Sequence, residues 1–101
     1  MCVYQVEYES IAEQELAAIG PFYGRQIAAT IAGQLTTEPT VASRSRKKVE
    51  GLKPPFKALP PVWELRVGEY RVFYDVNEDE KKVYVRAVRH KPPHKTTEEI
   101  L

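Results

Sequence analysis

The sequence predicts an α+β fold in which a mostly antiparallel β-sheet carries a helical hairpin on one face. Two observations support this prediction. Apolar side chains recur at every fourth position between residues 22 and 35, which is the spacing of one face of an α-helix. Between residues 62 and 90, three stretches of alternating apolar and polar residues are joined by short turns, as in a β-meander. Hairpin connections produce antiparallel pairs, so we expect the helices to cover one face of the sheet.

The N-terminal third predicts one strand and two helices. Residues 2–8 alternate in the manner of a strand. Ser10 and Glu13 form a Ser-x-x-Glu pattern, which predicts a capping box and a first helix over residues 11–19. Gly20-Pro21 ends that helix, and a second helix follows over residues 22–35. The apolar stripe of the second helix is Tyr23, Ile27, Ile31 and Leu35.

Residues 36–61 show no clean periodicity and contain five of the eight prolines. A long loop of this kind in a small domain is typically functional. We expect a short strand or turn near residues 41–44.

The last third predicts three strands, over residues 62–67, 70–76 and 82–90. Gly68-Glu69 has the glycine-first pattern of a type II′ turn. Pro92-Pro93 ends the third strand, and Thr96 or Thr97 is expected to cap a short last helix. Trp63, Leu65, Val67, Tyr70, Val72 and Val85 should face the helices. The opposite, solvated face should carry Glu64, Arg66, Arg71, Asp75, Tyr84, Arg86 and His90.

Composition is that of an ordinary globular chain, with 43% hydrophobic and 29% charged residues, and predicts one domain over residues 1–101. The one cysteine, Cys2, excludes a disulfide framework and is expected to be a small strand residue. His90 and His94 are separated by two prolines, so no metal site and no cofactor is expected. No apolar stretch reaches the ~20 residues that span a bilayer, and the first residues lack the pattern of a secretory signal. We therefore expect a cytoplasmic protein without membrane contact.

The net charge of +1 hides a segregation of charge along the chain. Residues 1–40 contain one basic and five acidic side chains, and residues 41–101 contain fourteen basic and nine acidic ones. The basic residues concentrate at 44–57 and 86–95. Such clusters either form a local anion-binding field or remain two solvated loops.

The predicted basic sheet face has the parts that RNA cleavage without a metal requires. A base takes the proton of the 2′-hydroxyl, that oxygen attacks the phosphate, and an acid protonates the leaving 5′-oxygen. Cations stabilise the charge that develops on the phosphorus centre. Arg66 and Arg71 could supply the cations and His90 the acid. The candidates for the base are Glu50, Glu64 and Lys53, and Tyr84 is the candidate for stacking a nucleobase.

Residues 63–76, WELRVGEYRVFYDV, resemble the central hairpin of the RelE/ParE superfamily, the toxins of bacterial type II toxin–antitoxin pairs. The element order and the closing segment over residues 85–91, VRAVRHK, resemble that family as well. The resemblance implies a RelE-like fold over nearly the whole chain. It also implies that a cognate antitoxin binds the protein.

The resemblance further implies roles for individual residues. Arg71 matches the arginine that RelE-like nucleases place on the scissile phosphate, and Arg66 matches a cation on the preceding strand. Lys91 falls where RelE has a C-terminal arginine. Glu50 and His90 resemble the base and acid of the YoeB branch. RelE's catalytic tyrosine has no counterpart after Tyr84, and Glu64 replaces a lysine.

The function expected from these features is that of a ribosome-dependent mRNA endoribonuclease. Its partners would be the ribosome, mRNA and an antitoxin. The residues expected to bind RNA are Lys53, Lys57, Tyr84, Arg86, Arg89 and Lys91. Two alternatives remain at this point: a ParE-like inhibitor of DNA gyrase, and an inactivated toxin that retains only antitoxin binding.

Overall fold

The computed structural model describes residues 3–101 and confirms the α+β fold. The predicted first residue of the N-terminal strand, Cys2, lies outside the described residues. The elements in chain order are β1 (Gln5–Tyr8), α1 (Ser10–Ile19), α2 (Pro21–Leu35), β2 (Arg46–Val49), β3 (Val62–Val67), β4 (Tyr70–Asn77), β5 (Lys82–His90) and α3 (Thr97–Ile100). None of the helices in residues 3–101 is both long and apolar enough to cross a membrane.

The five strands form one sheet in the order β1-β5-β4-β3-β2. All neighbouring pairs are antiparallel except β1 and β5, which run parallel. The short strand expected near residues 41–44 lies further along the chain, where it begins at Arg46, which pairs with Leu65. The backbone N–H of Ser43 donates to the carbonyl of Arg46 at 2.9 Å, so the chain turns just before the strand.

The start of α1 differs from the prediction. The helix has Glu9 as its N-cap, and no side chain caps it, so the capping box predicted for Ser10 and Glu13 is wrong. The N–H of Glu9 donates to the carbonyl of Val85 at 3.0 Å, which holds Glu9 extended and lets the helix begin at Ser10. A capping box forms instead between Thr96 and Glu99 at the start of α3. Thr96 is one of the two threonines that were expected to cap this helix.

The main core lies between the helices and the sheet, as predicted. Ile27, Ile31 and Leu35 of α2 are buried in one cluster with Trp63, Leu65, Val72 and Val85. Val67 and Tyr70 are half-buried against the same cluster. Tyr23, the first residue of the predicted stripe, is 48% exposed because it lies in the first turn of α2, beyond this cluster.

Leu65→Ala should lower the free energy of unfolding by about 2–5 kcal/mol, because it leaves a cavity in a packed core. Leu65 is fully buried, and urea denaturation of the purified protein measures the loss. Leu59→Ala is the matched control, since that leucine is exposed and its loss should cost under ~0.5 kcal/mol. Equal losses for the two variants would contradict the assignment of the core.

The opposite face of the sheet is not the solvated surface that the alternation predicts. Val62, Phe73 and Ala87 form a second buried cluster there. The partly buried residues that pack on this cluster are Val49, Phe56, Ala58, Ile100 and Leu101. The loop over residues 50–61 and the C-terminal segment therefore cover this face, and Glu64, Asp75 and Arg86 are buried beneath them.

A β-bulge changes the direction of the side chains along β5. Val85 pairs with Tyr74 and Ala87 pairs with Phe73, so Arg86 is the extra residue. Beyond the bulge, His90 pairs with Tyr70 and Arg89 pairs with Arg71. Because directly paired residues project to the same side of a sheet, His90 lies on the helix side with Tyr70. The expectation that His90 shares a face with Arg71 is wrong.

Candidate functional site

The hairpin between β3 and β4 has the two-residue turn that the sequence predicts. Gly68 has a φ of 59°, and Val67 pairs with Tyr70 on either side of the turn. Glycine occupies this conformation without steric cost. The tight turn places Arg66 directly opposite Arg71 on the side of the sheet away from the helices.

A concave basic surface of about 170 Å³ lies beside these two arginines; we call it the basic cavity. Its lining residues are Arg44, Ser45, Lys47, Glu64, Arg66, Arg71, Lys91 and Thr97. The pairing of Lys47 with Glu64 brings β2 to the cavity, and Lys91 arrives from the end of β5. Five cations and one carboxylate thus line a site with the charge to bind an anion such as phosphate.

Glu64 lies on the floor of the basic cavity and is only 2% exposed. Its Oε2 is 3.5 Å from Nε of Arg71 and accepts a 2.9 Å hydrogen bond from the hydroxyl of Thr97. Its Oε1 is 3.6 Å from Nζ of Lys47 and accepts no hydrogen bond from residues 3–101. A buried carboxylate is costly unless it is paired, so Arg71, Lys47 and Thr97 offset the cost of burying Glu64. The Oε1 atom has the capacity to accept one further proton donor.

Arg71 is held rigidly in the basic cavity. Its Nη1 donates to the carbonyls of Gly68 and Tyr70, each at 2.9 Å, and its side chain is 12% exposed. Burial lowers the pKa of Arg71, the Glu64 carboxylate opposes that shift, and the charge of Arg66 adds to it. Arginine nevertheless keeps its charge at any physiological pH. The site therefore presents a fixed cation beside the exposed Arg66.

The structure brings together Arg66, Arg71 and Lys91 from the expected set of site residues. Glu50 lines an adjoining cavity of about 260 Å³ that shares Lys47, Glu64 and Thr97 with the basic cavity. Lys53 and Lys57 are exposed on the covering loop. Lys57 lines a separate small cavity near Glu9 and Arg86.

Arg86 is not on an exposed face, so the expected placement for RNA binding is wrong. It is 5% exposed, and Asp75 accepts hydrogen bonds from its Nε at 2.7 Å and its Nη2 at 3.0 Å. Its Nη1 donates to Glu9. Burial acts to lower the pKa of Arg86, but the bonds and charges of Asp75 and Glu9 outweigh it and the pKa is raised. The guanidinium is thus a structural cation.

Tyr84 and Arg89 are engaged elsewhere. The guanidinium of Arg86 lies 4.8 Å from the Tyr84 ring, and the Tyr84 hydroxyl contacts Glu80 at 3.4 Å. Arg89 forms a 3.1 Å ion pair with Glu15 of α1. Neither residue lines the basic cavity.

His90 lies on the other side of the hairpin from the basic cavity. Its ring is 5.2 Å from that of Tyr70, and its Nε2 is 3.1 Å from Oε1 of Glu69. It lines a different cavity, together with Tyr23 and Tyr70. Within residues 3–101, no group of three or more histidine, cysteine or acidic side chains is arranged to hold a metal ion.

Two solved structures are similar to this chain over most of its length. The chain is similar to a structure described as the toxin–antitoxin complex RelBE2 from Mycobacterium tuberculosis, with a TM-score of 0.71 and 24% identity over 90% of this chain and 94% of that chain. It is also similar to an archaeal RelE–RelB complex from Pyrococcus horikoshii, with a TM-score of 0.68 and 22% identity over 93% of this chain and 99% of that chain. The chain therefore has the RelE-like α+β fold that the sequence predicts.

A family model identifies the protein family in addition to the fold. The model of the ParE toxin of the type II toxin–antitoxin system, parDE, matches residues 6–91, and the chain belongs to that family. No curated protein sequence matches the chain.

Proposed function

We propose that this toxin is an mRNA endoribonuclease that acts on the ribosome and binds the scissile phosphate in the basic cavity. The observation that carries the proposal is the convergence of Arg44, Lys47, Arg66, Arg71 and Lys91 on one concave site with Glu64 on its floor. A phosphodiester passing through the transition state of cleavage accumulates negative charge, which preorganised cations stabilise.

Each part of the reaction has a candidate residue in the basic cavity. Arg71 and Arg66 bind the non-bridging oxygens of the phosphate. A carboxylate, with Glu64 of this cavity and the exposed Glu50 of the adjoining one as the candidates, takes the proton of the 2′-hydroxyl. The hydroxyl oxygen then attacks the phosphorus, and the ammonium of Lys91 protonates the leaving 5′-oxygen. Among the three candidates for the base, Glu64 is the one that lines the same cavity as Arg71.

The proposed partners are a cognate antitoxin, the ribosome and mRNA. One similar structure is described as a toxin–antitoxin complex and the other as a RelE–RelB complex. A cationic concave surface of this kind suits an acidic segment that folds on binding and excludes RNA from the site.

Inhibition of DNA gyrase is the second candidate function. It is favoured by the match to the ParE family model and by the lining of the basic cavity, which includes neither histidine nor tyrosine among the described residues. A binding protein needs no acid or base, so this lining is compatible with it.

Expression of the toxin in cells, followed by primer extension on mRNA and by an assay for gyrase-trapped DNA breaks, separates these functions. We expect cuts within translated codons, and we expect Arg66→Ala to reduce them about 10- to 100-fold because one charge-assisted contact to phosphate is lost. Arg25→Ala, at an exposed position on α2, is the matched control and should leave the cuts unchanged. Trapped DNA breaks with intact mRNA would establish the gyrase function instead. Neither signal from a folded protein would mean an inactivated toxin.

A further inference from the structure

Four rings form a row between the start of α2 and the end of β5; we call it the aromatic row. The ring centroids are 5.0 Å apart for Phe22 and Tyr23, 5.6 Å for Tyr23 and Tyr70, and 5.2 Å for Tyr70 and His90. Phe22 and Tyr23 are both exposed. Aromatic side chains left open to solvent in this way are the surfaces on which nucleobases stack.

A cavity of about 300 Å³ opens beside the aromatic row; we call it the aromatic cavity. Tyr23, Tyr70 and His90 line it together with the amide of Gln26 and the carboxylate of Glu69. His90 Nε2 lies 3.1 Å from Oε1 of Glu69 and so positions the carboxylate at the end of the row. The cavity therefore combines flat aromatic walls with the carboxylate of Glu69 and the amide of Gln26.

The aromatic cavity and the basic cavity lie on opposite sides of the same hairpin tip. Arg66 and Arg71 line the basic cavity, and their chain neighbours Val67 and Tyr70 line the aromatic one. Lys91 of the basic cavity directly follows His90. The two cavities therefore share the hairpin tip, around which a single RNA strand has to pass to reach both.

We propose that the aromatic cavity binds a guanine base of the RNA strand whose phosphate occupies the basic cavity, an inference that rests on the proposed ribonuclease function. The Watson–Crick edge of guanine carries two adjacent donors, N1–H and the N2 amino group, which one carboxylate accepts together. Adenine presents an acceptor at N1 and cannot make that pair. Glu69 is the specificity-determining residue in this arrangement, and the rings of Tyr23 and Tyr70 supply the stacking.

Titration of the purified full-length chain with 5′-GMP, 5′-AMP and 5′-CMP, followed by NMR, tests the inference without any cleavage step. We expect 5′-GMP to shift the resonances of Tyr23, Tyr70 and His90 at lower concentration than the other two nucleotides. Tyr23→Ala should weaken 5′-GMP binding about tenfold through lost stacking. Glu69→Gln should remove the preference for 5′-GMP over 5′-AMP. Glu13→Gln, an exposed carboxylate on α1, is the control and should change nothing.

Shifts confined to the basic cavity, or equal shifts for all three nucleotides that survive Glu69→Gln, would overturn the guanine site. The mRNA cleavage assay would be unaffected by that result, so failure of the guanine site is distinguishable from failure of the ribonuclease function. The guanine site would likewise be overturned if 5′-GMP shifted no resonance of the aromatic cavity and the Tyr23→Ala variant released a co-purified antitoxin. The aromatic row would then be a docking surface for that protein.

Discussion

Replacement of Arg71 by alanine is expected to slow mRNA cleavage about 100- to 1,000-fold and to abolish growth arrest. Arg71 is a fixed cation of the basic cavity, because two backbone carbonyls and Glu64 hold its guanidinium. A fixed cation needs no reorganisation when charge develops on the phosphate, and this accounts for the size of the expected loss. Primer extension on cellular mRNA measures the rate, and a growth curve measures the arrest.

Arg71→Ala also removes an ion-pair partner of the buried Glu64, so stability must be measured beside activity. Arg71→Lys is the companion variant, since it keeps a cation next to Glu64 but lacks the planar fork that binds phosphate at two points. We expect Arg71→Lys to unfold close to the wild-type temperature and still to lose at least about tenfold in cleavage. Undiminished cleavage by either folded variant would remove Arg71 from the proposed reaction.

Asp75→Ala is expected to lower the free energy of unfolding by about 3–5 kcal/mol, the range seen when one partner of a buried ion pair is deleted. Asp75 is fully buried and binds Arg86 through both carboxylate oxygens. Its Oδ2 also accepts a 3.0 Å hydrogen bond from the N–H of Leu59 and so anchors the covering loop. A loss of this size is a large share of the roughly 5–15 kcal/mol that stabilises an ordinary domain. Urea denaturation is the measurement.

Two further variants show whether the loss comes from the unpaired Arg86. Glu9→Ala removes the half-exposed partner of Arg86 and should cost under about 1 kcal/mol. The double variant Asp75→Leu/Arg86→Met removes both buried charges and should regain most of the stability that Asp75→Ala loses. If Asp75→Ala unfolds like the wild type, the pair has no structural role.

The helix-facing half of the core was predictable because its pattern is local. Alternation along β3 and β4 identifies Leu65 and Val72, and the spacing of α2 identifies Ile27 and Ile31 as their neighbours. The parallel pairing of β1 with β5 was not predictable in this way, because it depends on which strand edge is free after the meander has formed.

The second buried cluster was missed although the sequence carries a signal for it. Val62 and Phe73 are apolar residues on the face that appears polar, and the loop and C-terminal segment contribute Phe56 and Ile100. These residues have no common period, because irregular segments meet the sheet through tertiary contacts rather than through a repeat. Asp75 and Arg86 appear solvated in the sequence for the same reason.

The part of the candidate site formed by the β3–β4 hairpin could be predicted from the sequence. The part that follows the bulge in β5 could not. A two-residue turn fixes the register of Arg66 against Arg71 from sequence alone. The extra residue in β5 moves every later side chain to the other face, and this carried His90 away from the expected site. Arg44 and Lys47 belong to a stretch without periodicity. The sequence shows a basic cluster there but does not predict that these two residues line the basic cavity.

The parallel pair of β1 and β5 sets the order in which a newly made chain can complete its structure. Glu9, next to β1, bonds Arg86 of β5 across 77 positions of sequence. Pairings this distant close slowly, and chains emerge from the ribosome at only about 5–20 residues per second. The N-terminal strand therefore remains without its sheet partner until β5 has been made. Lys91 of the basic cavity is made immediately after β5, so this cation joins the cavity only once the sheet can close. A nascent chain that has not yet reached β5 therefore has neither its closed sheet nor Lys91 of the basic cavity.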